Sequence, residues 1–257
     1  MRLQHSSTNL PQRFGVSAKL VGILVVSLLT HACTATIFVK DKFLHNNASS
    51  GGADSLPDVK NLESYKFMEA LKSGENGWNR EYSAAVVQAL KKPQSRVLLS
   101  GDETINDPEV ARICPRYNAL SVGERGIFWT LLLAAMAKHE SSYNNNSIAL
   151  HDGGGNSSIG LLQLSYEDMV WAQEWGCNVS RTDESRKLTK AAPNLECGVA
   201  IMARQVSLRA KKNGASKVFL GSEEYWSVLR PSEQRGNYNV TTTFLEARDP
   251  GAAFCVK

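Results

Sequence analysis

From Ile127 to Met136 this chain carries a single polar residue, Thr130, among Ile127, Phe128, Trp129, Leu131, Leu132, Leu133, Ala134, Ala135 and Met136. A helix of that composition has no face to offer water, so it must be surrounded by the rest of a domain. Its start is marked by Ser121-Val122-Gly123-Glu124, the Ser-x-x-Glu spacing of a capping box, in which hydroxyl and carboxylate satisfy free amides of the first turn. The segment is too short, and too closely flanked by charge, for a membrane span of about 20 apolar residues. It runs out at Ala137-Lys138-His139-Glu140-Ser141-Ser142-Tyr143. Glu140 is therefore expected at the end of a buried helix, where desolvation and the partial negative charge of the helix C-terminus both disfavour the carboxylate. From this segment alone, an exposed glutamate fraying off a helix end is the alternative.

The remaining punctuation is also helical. Residues 62–72 and 81–91 read as helices, separated by Ser73-Gly74-Glu75-Asn76-Gly77 and closed by Pro93. Ser165-Tyr166-Glu167-Asp168 opens another, running through Trp171 to about Trp175 and stopping at Gly176. A further helix begins near Pro193-Asn194, with Leu195, Val199, Ile201, Met202 and Val206 at helical spacing. No strand is strongly signalled, although 147–159 has room for a small hairpin. The expected fold class is mainly α, with a helical N-terminal subregion over 59–115 and the principal domain over 116–257.

Residues 1–35 stand apart. Arg2, Arg13 and Lys19 lead into an apolar run over 20–29, no acidic residue precedes Asp41, and Ala32-Cys33-Thr34-Ala35 follows. That is the pattern of an export signal. Cleavage after Ala35 and lipid attachment at Cys33 are both open, with an uncleaved N-terminal anchor as a third course. The polar, Asn/Ser/Gly-rich stretch at 46–57 suits a flexible linker, placed here over 36–58. Apart from Cys33 the chain has Cys114, Cys177, Cys197 and Cys255, an even set suited to two disulfides in an oxidising compartment. Sequence does not choose among the three pairings. We expect Cys177 with Cys197, closing a local loop, and Cys114 with Cys255, tying the tail to the core; buried thiols are the alternative. No close Cys or His pair has structural zinc spacing, and no phosphate loop or HExxH run occurs, so no metal or cofactor is expected. Three of the net +4 charges lie in residues 1–33, and the near-neutral remainder makes no electrostatic case for nucleic acid.

Twenty positions after Glu140 comes Gly160-Leu161-Leu162-Gln163-Leu164-Ser165, and later Pro193-Asn194-Leu195-Glu196-Cys197-Gly198-Val199-Ala200. Gly160 permits close backbone approach, the leucines can pack, and Gln163 offers an amide donor and acceptor. Glu140-Ser141 with Tyr143, the Gly-Leu-Leu-Gln run, and Asn194 followed four residues later by Gly198 resemble, in order, three signatures of the lysozyme-like SLT family. That family comprises the soluble lytic transglycosylases and goose-type lysozymes, and the resemblance covers roughly 120–209. It implies a lysozyme-like fold that cleaves the β-1,4 bond between MurNAc and GlcNAc in peptidoglycan. Glu140 would be the acid, Ser141 would orient it, and Gln163 would line the glycan cleft. Two departures stand out. The Glu140 to Gly160 spacing is longer than usual, the insertion holding His151-Asp152-Gly153-Gly154-Gly155. The family's Ala-Tyr-Asn-Ala-Gly segment is absent; Glu224-Tyr225-Trp226-Ser227 stands in its region, making Tyr225, Trp226 and Tyr238 candidate substrate aromatics.

Asp152 bears on the reaction type. An inverting hydrolase needs a second carboxylate about 6.5 to 9.5 Å from the first to activate water. A lytic transglycosylase needs none, because one glutamate protonates the leaving oxygen and then, as its conjugate base, deprotonates the muramic C6 hydroxyl. Asp152 is either that second carboxylate or a turn former beside its glycines. Lys138, Arg204 and Arg209 could meet peptide-stem carboxylates or simply be solvated. The reading is an exported transglycosylase acting on peptidoglycan strands, with Asp152-dependent hydrolysis as its alternative. The rival from another class is a glycan-binding envelope lipoprotein without turnover.

Overall fold

The computed structural model describes residues 71–100, 105–150, 157–180, 182, 186–213, 218–219, 225–230 and 237–256. All of them lie in one compact unit, Ser49–Lys257. The expected export signal, Cys33, the linker, most of the 62–72 helix and Asp152 fall outside the described residues. Mainly α is the observed class. Where the first expected helix would end, Lys72–Ser73 (β1) instead pairs antiparallel with Asn76–Gly77 (β2). Gly74, at φ +59°, makes the two-residue reversal that this pairing requires.

Helix α1, Arg80–Leu90, is capped by Asn79, whose side chain accepts the Tyr82 N–H. A short helix α2, Arg96–Leu99, follows. Helix α3, Pro108–Ile113, has Asp107 as its cap and proline at its start. The buried Asp107 carboxylate does more than cap. One oxygen accepts the Glu109 and Val110 amides, and the other takes those of Val218 (2.8 Å) and Phe219 (2.6 Å) from far along the chain.

The apolar segment becomes α4, Val122–Ser141, and both halves of its capping box are made between Ser121 and Glu124. Every residue from Phe128 to Ala137 is buried. Several of its polar groups find backbone acceptors: Thr130 donates to the Gly126 carbonyl, the Trp129 indole to that of Leu98, and the Arg125 Nη atoms to those of Leu99 and Asn118, while Arg125 Nε has no partner among the described residues. Tyr117, Phe128, Trp129 and Phe244 form an edge-to-face cluster beside it.

After α4 a hairpin pairs β3, Ile148–Leu150, with β4, Ser157–Ile159. The expected 165–175 helix is broken. A 3₁₀ turn at Tyr166–Asp168, the single α turn α5 at Met169–Ala172 and a second 3₁₀ turn at Gln173–Trp175 lead to Gly176 at φ +96°. So short a segment cannot sustain an i to i+4 ladder by itself, and its ends close with i to i+3 bonds. Helix α6, Ala191–Asn213, packs closely against α1, and α7, Asn237–Gly251, against α4. Disulfides join Cys114 to Cys255 and Cys177 to Cys197, the expected pairing. Packing shows no break at residue 115, because residues from α1 to α7 share one core.

Gly198 on α6 fits beneath Leu162: a Cβ there would meet Leu162 Cδ1 at 2.2 Å, and Leu162 is fully buried. Gly198→Ala is expected to cost about 1 to 3 kcal/mol of stability by overpacking, read from urea unfolding.

Candidate active site

Glu140 sits one residue before the end of α4. Its Oε1 is sealed from solvent and has no hydrogen-bond partner among the described residues. Burial raises its pKa from 4.5 to about 7. The helix stops abruptly beyond it: Ser142 and Tyr143 both adopt left-handed backbone, at φ 52° and 61°. This double reversal drives Tyr143 back into the core, edge-on to Trp78 at 6.3 Å, with a buried hydroxyl that lacks a partner among the described residues. Gln163 (φ 50°), in the Gly160–Ser165 turn, is the remaining non-glycine residue in that conformation among the described residues. Such strain persists only where surrounding contacts over-determine it.

Those contacts are visible around the Gly160–Ser165 turn. Ile159 and Leu164 exchange both backbone bonds at 2.9 Å, and the Gly160 amide donates to the Ser147 carbonyl at 2.8 Å. Asn194, fully buried on α6, accepts the Leu162 amide at 2.9 Å and donates to the carbonyls of Ile159 (2.9 Å) and Leu188 (3.0 Å). Gly160 has φ +78°, and a Cβ there would lie 2.3 Å from the Leu188 carbonyl and 2.4 Å from Asn194 Nδ2. Only glycine fits.

The candidates that fall among the described residues have definite places. The Ser141 hydroxyl lies 2.9 Å from the Leu161 carbonyl and 3.2 Å from that of Ala137. It ties the end of α4 to the turn, holding Glu140 through the backbone. Gln163 donates its amide to the carbonyls of Gly160 (2.8 Å) and Ser147 (3.3 Å). The donors expected to meet a sugar therefore brace the hairpin, and the amide oxygen has no partner among the described residues. Tyr225 brings its phenol to the same turn, accepting the Ser165 amide at 3.1 Å, and the Glu140 charge reaches it. Burial, first among the causes, raises the phenol pKa. Asp152 lies outside the described residues, as does the Tyr238 side chain.

Trp226, also a candidate aromatic, and neighbouring groups that motif spacing does not single out complete the wall. Trp226 is buried and donates its indole N–H to the Leu162 carbonyl at 2.8 Å. Trp171 stands edge-on to Tyr225 at 6.1 Å and carries the Arg204 guanidinium 4.3 Å above its ring. The indole also donates to Asp168 at 3.3 Å. His139 Nε2 lies 2.9 Å from Thr243 Oγ1 on α7, with burial and then Lys138 lowering its pKa. Two surface cavities, of about 360 Å³ between α1 and α6 and about 310 Å³ around Lys91–Arg96, touch none of these groups.

No family model matches the chain, and no curated protein does. Among solved structures the chain is similar to Bd0314 DslA. The wild type, form 2, is 28% identical with a TM-score of 0.51, over 63% of this chain and 87% of that one. A Glu-to-Gln mutant of the same protein gives 26% and 0.50, over 66% and 89%.

Two stability predictions follow from the unpaired groups. The folded state keeps the Glu140 proton between about pH 4.5 and pH 7 while the unfolded chain releases it, so stability falls as pH rises through that window. Glu140→Gln, which does not titrate, should be more stable than the natural protein at pH 8 by up to about 3 kcal/mol. In urea unfolding that gap should close by about pH 4. Tyr143→Phe removes a buried hydroxyl without a partner and is expected to raise stability by up to about 1 kcal/mol in the same assay.

Proposed function

We propose that the protein is an exported lytic transglycosylase of the lysozyme-like SLT type, cleaving the MurNAc to GlcNAc β-1,4 bond of peptidoglycan. The observation that carries this reading is the Glu140 carboxyl, unpaired at Oε1 and still protonated near neutral pH. A glycosidic oxygen is a poor leaving group until it is protonated, and an acid whose pKa lies near the working pH is suited to deliver that proton. The ordered resemblance over 120–209 supports the same reading, and two disulfides suit an oxidising compartment.

The reaction then needs one carboxyl. Glu140 gives its proton to the bridging oxygen as the bond from that oxygen to the muramic C1 breaks. The resulting carboxylate takes the proton from the muramic C6 hydroxyl as O6 bonds to C1. The products are a free GlcNAc 4-hydroxyl and a 1,6-anhydromuramoyl end, no water is consumed, and the acid is regenerated. The transient positive charge at C1 forms beside the newly ionised Glu140, which stabilises it. Ser141 and the turn hold the acid through α4, while Tyr225 and Trp226 wall the same turn.

Mass spectrometry of soluble products released from acetylated and deacetylated sacculi tests this. Glu140-dependent products lighter than hydrolysis products by one water are expected. Reducing-end products that require Asp152 would make the enzyme a hydrolase, and binding that survives Glu140→Gln with no release by the natural protein would make it a glycan-binding protein. Because the general acid must be protonated, kcat/KM is expected to fall as pH rises above about 7.

A further inference from the structure

From the Gly160–Ser165 turn the aromatic wall runs through Tyr225, which accepts the Ser165 amide at 3.1 Å, to Trp171, and beyond Trp171 stands a cation. The Arg204 guanidinium lies 4.3 Å above the Trp171 ring. Two contacts orient that ring: its edge-on meeting with Tyr225 at 6.1 Å, and the indole N–H donated to Asp168 Oδ1 at 3.3 Å. Arg204 is partly exposed, and its side chain has neither an ion pair nor a hydrogen bond among the described residues. All five N–H donors of an arginine lie in the guanidinium plane. Stacking occupies one face of that plane and leaves the donors at its edge, in the fork that matches a carboxylate bidentately.

We propose that Arg204, held on Trp171, is a substrate-binding residue that takes a carboxylate of the peptide stem borne by muramic acid. This rests on the reading of the protein as an enzyme of peptidoglycan. The hydroxyl and N-acetyl groups of a glycan strand are uncharged, whereas the stem carries carboxylates, so the stem is the part of the strand that a guanidinium fork would select. The reach is also right. Arg204 lies 10 positions after Asn194 on α6, which at 1.5 Å per residue puts it about 15 Å along the axis from the side chain that holds the turn. An extended peptide of about four or five residues spans about 13 to 18 Å. A stem leaving a muramic acid seated at the turn therefore reaches Arg204. The aromatic platform holds the cation ready, so that less side-chain freedom is lost when the carboxylate arrives.

Binding of soluble, uncross-linked glycan strands by the Glu140→Gln protein tests this without turnover, comparing strands that keep their stems with strands freed of them by an amidase. Stem-bearing strands should bind more tightly. Arg204→Ala in that background is expected to weaken their binding about tenfold and to leave stem-free strands as they were. Arg204→Lys keeps the charge without the fork and should recover only part of the loss. With Glu140 intact, Arg204→Ala should raise KM on stem-bearing strands more than it lowers kcat. Unchanged affinity for stem-bearing strands in Arg204→Ala overturns the proposal. An equal loss on both kinds of strand overturns it as well, because Arg204 would then serve the fold or the lactyl carboxylate that stem removal uncovers. Circular dichroism confirms that each variant is folded. Cleavage of sacculi by a protein whose Arg204→Ala variant binds stems normally would sink this proposal and leave the transglycosylase reading standing. Arg204-dependent stem binding with no cleavage of any sacculus would do the reverse, and no binding of either strand would overturn both.

Discussion

Three hydrogen bonds from one buried amide hold the site together. Asn194 reaches out of α6 to Leu162, Ile159 and Leu188, so helix, turn and the loop before the helix are fixed to a single side chain. Buried backbone groups must be paired, and a turn of this shape leaves several of them facing inward. Asparagine suits the task because its side chain presents both an acceptor and a two-proton donor. The bare Cα of Gly160 is the other half of the arrangement, since it leaves room for the amide. Once the turn is fixed, the Leu161 carbonyl is in place to receive Ser141, and the end of α4 becomes fixed in turn.

Polar satisfaction is uneven across the molecule in an informative way. Asp107, Thr130 and Asn194 are buried and well partnered through backbone groups. Among the described residues three buried side-chain atoms are unpaired: Arg125 Nε stands apart, whereas Glu140 Oε1 and Tyr143 Oη lie within three residues of each other, beside the strained Ser142 and Tyr143. The remainder of the fold supports a local region that would be unfavourable alone.

Much of this was legible in the chain. The capping box at Ser121, the buried character of α4, the stop at Gly176 and the start of α6 are local signals, and local signals are what sequence patterns encode. The cysteine pairs matched expectation for topological reasons, one being a short loop and the other a tail anchor. The Gly160 and Asn194 motifs were visible, but their mutual contact was not, because it depends on how α6 docks. Lys72 reads as helical until its pairing with Gly77 is seen. Gln163 was expected to offer its amide outward, whereas the hairpin needs those protons internally.

The bond between Cys114 and Cys255 spans 141 positions, so α4, the Gly160 turn and α6 all lie inside one covalent ring. Cutting the backbone once anywhere within that ring opens it without separating the pieces. A molecule nicked in this way would keep both parts of the Glu140 region joined and able to re-form. Damage that would fragment a linear chain becomes, for this one, a change of connectivity.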